Sequence, residues 1–387
     1  MNDVEYLIGS PPIDTKPSRP FSDEICEFAT ALCAELMKSA KEFPDIGAFA
    51  FYCRKANVQR LKASFGDLQN RLGRGVCFHI SPSNIPVNFA FSWLFSLFAG
   101  NSNIVRVPSR NFAQTDVICE ALKKVLKNYK GIEKRNLFVR YASDLKTTKE
   151  FSLMSDARMI WGGDETIASI KAIRAKPRCI DIAFADRYSI AIINAESIVK
   201  SDEKTIAMLA KDFYNDTYLV DQNACSSPHL ILWVNANETA KTRFWNAIFH
   251  YAQKRYKMQT AIAIDKYVRL CEDAIELDLH KAARHGFALY VVSLRSLPNE
   301  VERLREAGGY FYEYDLKNIE ELEAFVTDKF QTLTYFGIEA ETLRGFIVNN
   351  SLKGIDRIVP IGRALDMEIV WDGFNLIETL SRIVRAV

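Results

Sequence analysis

The sequence predicts an α/β protein built from two parallel-sheet domains, and three observations carry that reading. From Gly75 onward, short apolar runs of strand length alternate with segments of helical period. The alternation continues past residue 220 through a second series of strands. The 387 residues also exceed one ordinary core, since a domain takes about 150. With 48% apolar residues, 25% charged residues and a net charge of +2, the chain reads as globular, without the charge excess of a nucleic-acid or membrane-surface binder.

Residues 1–20 hold four prolines and read as an extended arm. Ser22 is the expected N-cap of an amphipathic helix over 22–42 that presents Ile25, Phe28, Ala29, Leu32 and Leu36 on one face. More helix is expected over 46–71. The first buried strand is Val76–Ile80, followed by a helix over 86–99 that stops at Gly100. Strand 103–107, helix 112–127, and strands 137–140 and 157–161 come next. After the Gly162-Gly163 turn, a helix from Asp164 to Arg174 points its first N–H groups above the sheet. Strand 189–194 closes this half. The second half reads as strand 229–234, helices 238–257 and 265–275, strand 287–293, helix 298–306, strand 310–314, helix 317–326 and strand 331–335. A tail from Asp356 ends in a helix over 374–384. The domains expected are 1–210 for a cofactor, 211–352 for the catalytic thiol, and 353–387 returning to the first.

Eight cysteines without a CxxC pair indicate reduced, cytoplasmic usage and no zinc module. The five histidines have no metal-ligand spacing and read as structural or surface residues, so no metal site is expected. The start of the chain lacks a basic region followed by an apolar one, and the run Val87–Ala99 is too short to span a membrane.

Cys225 is the candidate nucleophile. It lies in Asp221-Gln222-Asn223-Ala224-Cys225-Ser226-Ser227-Pro228, where small polar residues keep the backbone out of helix just before an apolar strand. The competing reading is a cysteine that packs as a small hydrophobe. Asn84, at a strand-to-helix turn, is either an amide donor for a developing oxyanion or a helix cap. Arg106 and Arg110 flank Pro108-Ser109 at a strand end, where guanidinium groups can grip a phosphate or simply be solvated. Gly162-Gly163 is a loose dinucleotide signal without the three spaced glycines. Phe91, Trp93, Phe95 and Phe98 would line an acyl tunnel or belong to the core.

Taken together, Pro82-Ser83-Asn84-Ile85-Pro86, Ala99-Gly100-Asn101, Pro108-Ser109 and the Cys225 segment resemble the aldehyde dehydrogenase superfamily. Within it, Trp161-Gly162-Gly163-Asp164-Glu165, Gln222 to Pro228 and Gln331 to Gly337 look like the acyl-CoA reductases typified by the bacterial bioluminescence fatty-acid reductase component. The resemblance implies two Rossmann-like domains with the active site in the cleft between them, and assembly as a homo-oligomer. It also implies reduction of an acyl-coenzyme A thioester to an aldehyde through a thioester on Cys225, with NADPH as hydride donor. Asn84 and the Cys225 backbone N–H would form the oxyanion hole. Ser81, Pro82, Arg106, Pro108, Ser109, Arg110, Gly162 and Gly163 would hold the cofactor.

The superfamily's general-base glutamate is missing from Ile180-Asp181-Ile182-Ala183-Phe184, which argues for reduction over hydrolysis. Arg110 replaces the acidic residue that holds a ribose 2′-hydroxyl, which favours NADPH. Ile167 replaces the second glycine of the superfamily's loop. The alternatives are an acyl-phosphate reductase similar to glutamyl phosphate reductase, a non-reducing acyl carrier or scaffold, and an acyl group delivered by an acyl-activating partner enzyme.

Overall fold

A computed structural model describes residues 4–66, 68–82, 85–142 and 144–386. Two compact units form, Met1–Ala185 with Ile369–Val387, and Asp186–Glu368.

The first unit is built on a six-stranded sheet. Its strands are β1 (Glu5–Ile8), then, after a short β2 (Arg71–Gly73) outside the sheet, β3 (Val76–Ile80), β4 (Ser102–Arg106), β5 (Asn136–Arg140), β6 (Ala157–Trp161) and β7 (Ile180–Phe184). The spatial order is β1-β5-β4-β3-β6-β7. All neighbours are parallel except β1, which the arm at the start of the chain lays antiparallel on β5. Strands buried on both faces need no alternation, and every residue of β3 and β6 is buried. The helix Asn88–Phe98 is apolar nearly all round because it lies inside. Trp93 packs edge-on against Phe28 and Phe138, while Phe98 stacks on Phe21 at 5.0 Å. Gly100 ends that segment at φ 88°, where a Cβ would fall 2.2 Å from the Ser18 carbonyl oxygen. The other face of the sheet is covered by Phe151, Ile167 and Ile170 from the helices Leu145–Met154 and Asp164–Lys171.

The second unit has a seven-stranded sheet: β8 (Tyr188–Asn194), β9 (Pro228–Val234), β10 (Leu279–His285), β11 (Leu289–Leu294), β12 (Tyr310–Asp315), β13 (Phe330–Phe336) and β14 (Arg357–Pro360). The order is β10-β11-β12-β9-β8-β13-β14, with only β10 antiparallel to its neighbour. Helices Glu203–Thr217 and Glu238–Ala252 fill one face with Phe213, Phe244 and Trp245. Buried Glu313 accepts from Trp233 Nε1 at 2.9 Å, Trp245 Nε1 at 2.7 Å and Ser293 Oγ at 2.6 Å, which satisfies its carboxylate.

Several expectations are corrected. Strand 188–194 joins the second sheet, where Ile190 pairs with Leu230 and Leu333, so the first unit ends at Ala185 and not near 210. A strand buried on both faces carries nothing in its own sequence that says which sheet it enters. Residues 353–368 stay in the second unit through β14, and only the chain from Ile369 returns to the first. There the expected helix 374–384 is a single turn, Leu376–Thr379, followed by strand Ser381–Ile383, which pairs with β2. Ser22 occupies its N-cap position without a side-chain cap bond. Among the described residues, no helix is long and apolar enough to cross a membrane.

Candidate active site

In the second unit, the helix Glu203–Thr217 runs through a 3-10 turn, Tyr218–Val220, into two successive residues of positive φ, Asp221 at 50° and Gln222 at 57°. Left-handed backbone at a non-glycine residue persists only where its surroundings hold it. Here they do. Gln222 is buried, its Oε1 accepting from Gly309 N at 2.7 Å and Tyr310 N at 3.2 Å, and its Nε2 donating to Tyr310 O at 3.0 Å. The turn is thereby tied to the head of β12. Tyr256 Oη donates to Asp221 Oδ1 at 2.5 Å. The chain then passes Cys225 and enters β9 at Pro228.

The half-buried Cys225 is held by its backbone. Its carbonyl accepts from Ser189 Oγ at 2.6 Å, and that hydroxyl oxygen in turn accepts from Thr332 N at 3.1 Å, so one serine links the thiol loop to β8 and β13. Cys225 lines a cavity of about 270 Å³ with Asp186, Arg187, Gln222, Asn223, Ala224, His229, Arg305, Glu306 and Ala307.

His229 is only 7% exposed, and its ring stacks on Tyr188 with centroids 5.8 Å apart. Burial, with the Arg305 guanidinium adding to it, pushes its pKa down to about 3 against an opposing hydrogen bond to the Glu306 backbone. The imidazole is therefore neutral across the working range. Its Nδ1 is buried without a hydrogen-bond partner. Arg305 Nη1 holds both oxygens of Asp186, at 2.8 and 3.1 Å, and Nη2 donates to the Arg187 carbonyl.

The sequence reading missed Ser189, Arg187 and Arg305 and grouped His229 with the structural or surface histidines. For the arginines no local signal exists, because their relation to Cys225 is made only by the sheet order. For His229 a signal was available: it sits four residues after the candidate thiol, inside the strand that the thiol loop enters.

All the other candidates belong to the first unit. Ser81 and Pro82 follow β3, Arg106 ends β4, Pro108-Ser109-Arg110 come just after it, and Gly162-Gly163 follow β6. They cluster at the C-terminal ends of three adjacent parallel strands. The chain builds β3, β4 and β5 outward on one side and then crosses to β6 and β7 on the other, so the order reverses between β3 and β6. Open α/β sheets bind ligands at such a reversal. Ser81 and Pro82 stand on one side of it, Gly162 and Gly163 on the other. Ser81 Oγ is buried without a partner, and a Cβ on Gly163 would meet nothing within 4 Å. Arg106 lies over the Tyr141 ring at 4.5 Å, and the exposed Arg110 lies over Phe112 at 5.4 Å. Asn84 lies outside the described residues.

Two ambiguous readings are resolved. Asp181 takes a bidentate bond from Arg158 Nε and Nη2, each at 2.7 Å, which makes it the partner of a buried arginine. Trp93, Phe95 and Phe98 are fully buried in the core, and Phe91 packs on Phe49 and Tyr52 beside them, so these rings form no tunnel.

Similar solved structures have the aldehyde dehydrogenase fold. Aldehyde dehydrogenase 21 from Physcomitrella patens, in complex with the reaction product succinate, is 13% identical with a TM-score of 0.62, over 88% of this chain and 78% of that one. The 1-pyrroline-5-carboxylate dehydrogenase from Thermus, with bound NAD, is 12% identical with a TM-score of 0.60, over 92% and 77%. For the bifunctional proline utilization A (PutA) protein the values are 16% and 0.60, over 90% of this chain but only 39% of that one. No curated protein matches the chain. The family model described as acyl-CoA reductase (LuxC) matches residues 57–265, just over half of the chain. The chain belongs to that family.

Proposed function

We propose that the chain reduces an activated acyl group, carried as a coenzyme A thioester, to an aldehyde through a thioester on Cys225, with NADPH as the reductant. The observation that carries this reading is the position of Cys225, on a loop clamped by Gln222 and Ser189 at the edge of a cavity, in a member of the acyl-CoA reductase family.

The Cys225 thiolate attacks the acyl carbon; the carbon–sulfur bond to the enzyme forms as the bond to coenzyme A sulfur breaks, and coenzyme A leaves as its thiol after taking up a proton. When bound, the nicotinamide cofactor supplies the hydride that brings the acyl carbon to the aldehyde level. Breaking the bond to Cys225 returns its electron pair to sulfur and frees the aldehyde. Asn84 and the Cys225 N–H are assigned to the carbonyl oxygen during both changes.

The first unit fits a dinucleotide. The orphaned Ser81 Oγ and the open space at Gly163 flank the reversal of the sheet, and Arg106 and Arg110 offer cations nearby. Asp164 and Glu165 in the first turn after Gly163 repel a phosphate, which assigns the phosphate contacts to the arginine side of the site. Pro108 and Ser109 complete that side. The bound NAD in the Thermus relative supports a nicotinamide cofactor in this fold, and Arg110 supports the 2′-phosphorylated form.

The test is spectrophotometric: oxidation of NADPH and of NADH by the purified chain, with acyl-coenzyme A donors of increasing length. Oxidation dependent on the donor and accompanied by aldehyde is the expected result; an acyl adduct formed without any oxidation would turn the reading into that of a carrier.

A further inference from the structure

The cavity beside Cys225 has polar walls. Of the residues that line it, only Ala224 and Ala307 bring aliphatic side chains without a polar atom. Three of the lining side chains hold a buried nitrogen with no hydrogen-bond partner: Arg187 Nε, Arg305 Nε and His229 Nδ1. The two acidic residues that line the cavity are already engaged, Asp186 by Arg305 and Glu306 Oε1 by the Ala307 N–H at 2.8 Å, while Asp356 lies near Arg187 outside the lining. What is left over is donor capacity on two guanidinium groups. An occupant made only of hydrocarbon would leave both guanidinium Nε–H groups unpaired, whereas one ending in an acceptor-rich group would pair with them.

Size points the same way. At about 270 Å³ the cavity lies just below the roughly 300–1,000 Å³ usual for small-ligand pockets. The aromatic side chains that a long hydrocarbon chain would need on the helix Asn88–Phe98 are committed to the core.

Building on the reductase reading, we propose that the acyl group is short and ends in a carboxylate, which Arg187 and Arg305 recognise through their Nε–H groups. The substrate class is the coenzyme A monothioester of a small dicarboxylic acid. Arg305 holds Asp186 and the Arg187 carbonyl, whereas among the described residues Arg187 Nη1 holds only the Asp328 carbonyl, so Arg187 is the residue to replace.

The experiment compares kcat/KM for glutaryl-, pentanoyl- and tetradecanoyl-coenzyme A in the full chain and in Arg187→Met. Glutaryl is expected to exceed pentanoyl by at least tenfold, with tetradecanoyl below both. In the variant the glutaryl-to-pentanoyl ratio is expected to fall at least tenfold, chiefly through KM. Because both donors carry coenzyme A, the ratio isolates the end of the acyl group. An equal rise in KM for both donors would assign Arg187 to the phosphates of coenzyme A and overturn the proposal. A preference for tetradecanoyl would overturn it and leave the reductase reading intact, whereas oxidation with none of the three would overturn both. If the variant does not fold, the wild-type ratio decides alone.

Discussion

His229 shows how one side chain can be chemically defined by what surrounds it. Its ring is stacked on Tyr188, and burial with the nearby Arg305 guanidinium holds it neutral against the pull of a hydrogen bond to the Glu306 backbone. In the unfolded chain the imidazole protonates as pH falls through about 6.5, while the folded ring stays neutral until about pH 3. Its contribution to stability is therefore complete above about pH 6.5 and is lost as pH falls toward 3. Replacing His229 with Phe is predicted to shrink the loss of stability between pH 7 and pH 4, by on the order of 3 kcal/mol. Urea denaturation at the two pH values measures it, and an unchanged loss would mean that the ring is accessible to protons. Cys225 was legible in the sequence because small polar residues ahead of an apolar strand mark a loop. The environment of His229 was not, since Arg305 and Glu306 reach it only through the pairing of β9 with β12.

At the level of elements, the thiol loop is stable because a side chain substitutes for a backbone ladder at the head of β12. Gln222→Ala leaves the Gly309 and Tyr310 N–H groups and the Tyr310 carbonyl to find other partners. It is predicted to cost about 1–3 kcal/mol, seen as a lower urea midpoint at constant m-value. An unchanged midpoint would show that the loop is held by something else. The helix Asn88–Phe98 was easy to read, because Pro86, a run of large apolar residues and Gly100 delimit it. β10 was not read at all: Leu279–His285 is an edge strand, largely exposed and basic, so it lacks the apolar alternation of a covered one. The helices Ala195–Lys200 and Glu203–Thr217 occupy the stretch before the boundary expected at 210, each capped by a side chain, Asn194 and Asp202.

For the whole molecule, alternation of strand and helix fixed the class of fold, and the motifs at Pro82–Pro86, Pro108-Ser109 and the Cys225 loop pointed to the family. The division between units was not legible, because β8 is as apolar as the strands of either sheet. The cofactor assignment belongs to this scale, since it depends on where the strand order reverses. Arg110→Glu is predicted to move the ratio of kcat/KM for NADPH over NADH toward NADH by at least tenfold, the scale of one charge-assisted hydrogen bond lost. An unchanged ratio would make Arg110 a surface charge. The central claim is narrower, that the acyl group passes through Cys225. Incubating the chain with an acyl-coenzyme A donor in the absence of reduced nucleotide, then digesting it and mapping the added mass, tests this directly. The acyl mass is predicted on Cys225 and on no other of the eight cysteines, and Cys225→Ala is predicted to show neither the adduct nor nucleotide oxidation. An adduct on a different cysteine, or aldehyde formation by Cys225→Ala at the wild-type rate, would contradict the account.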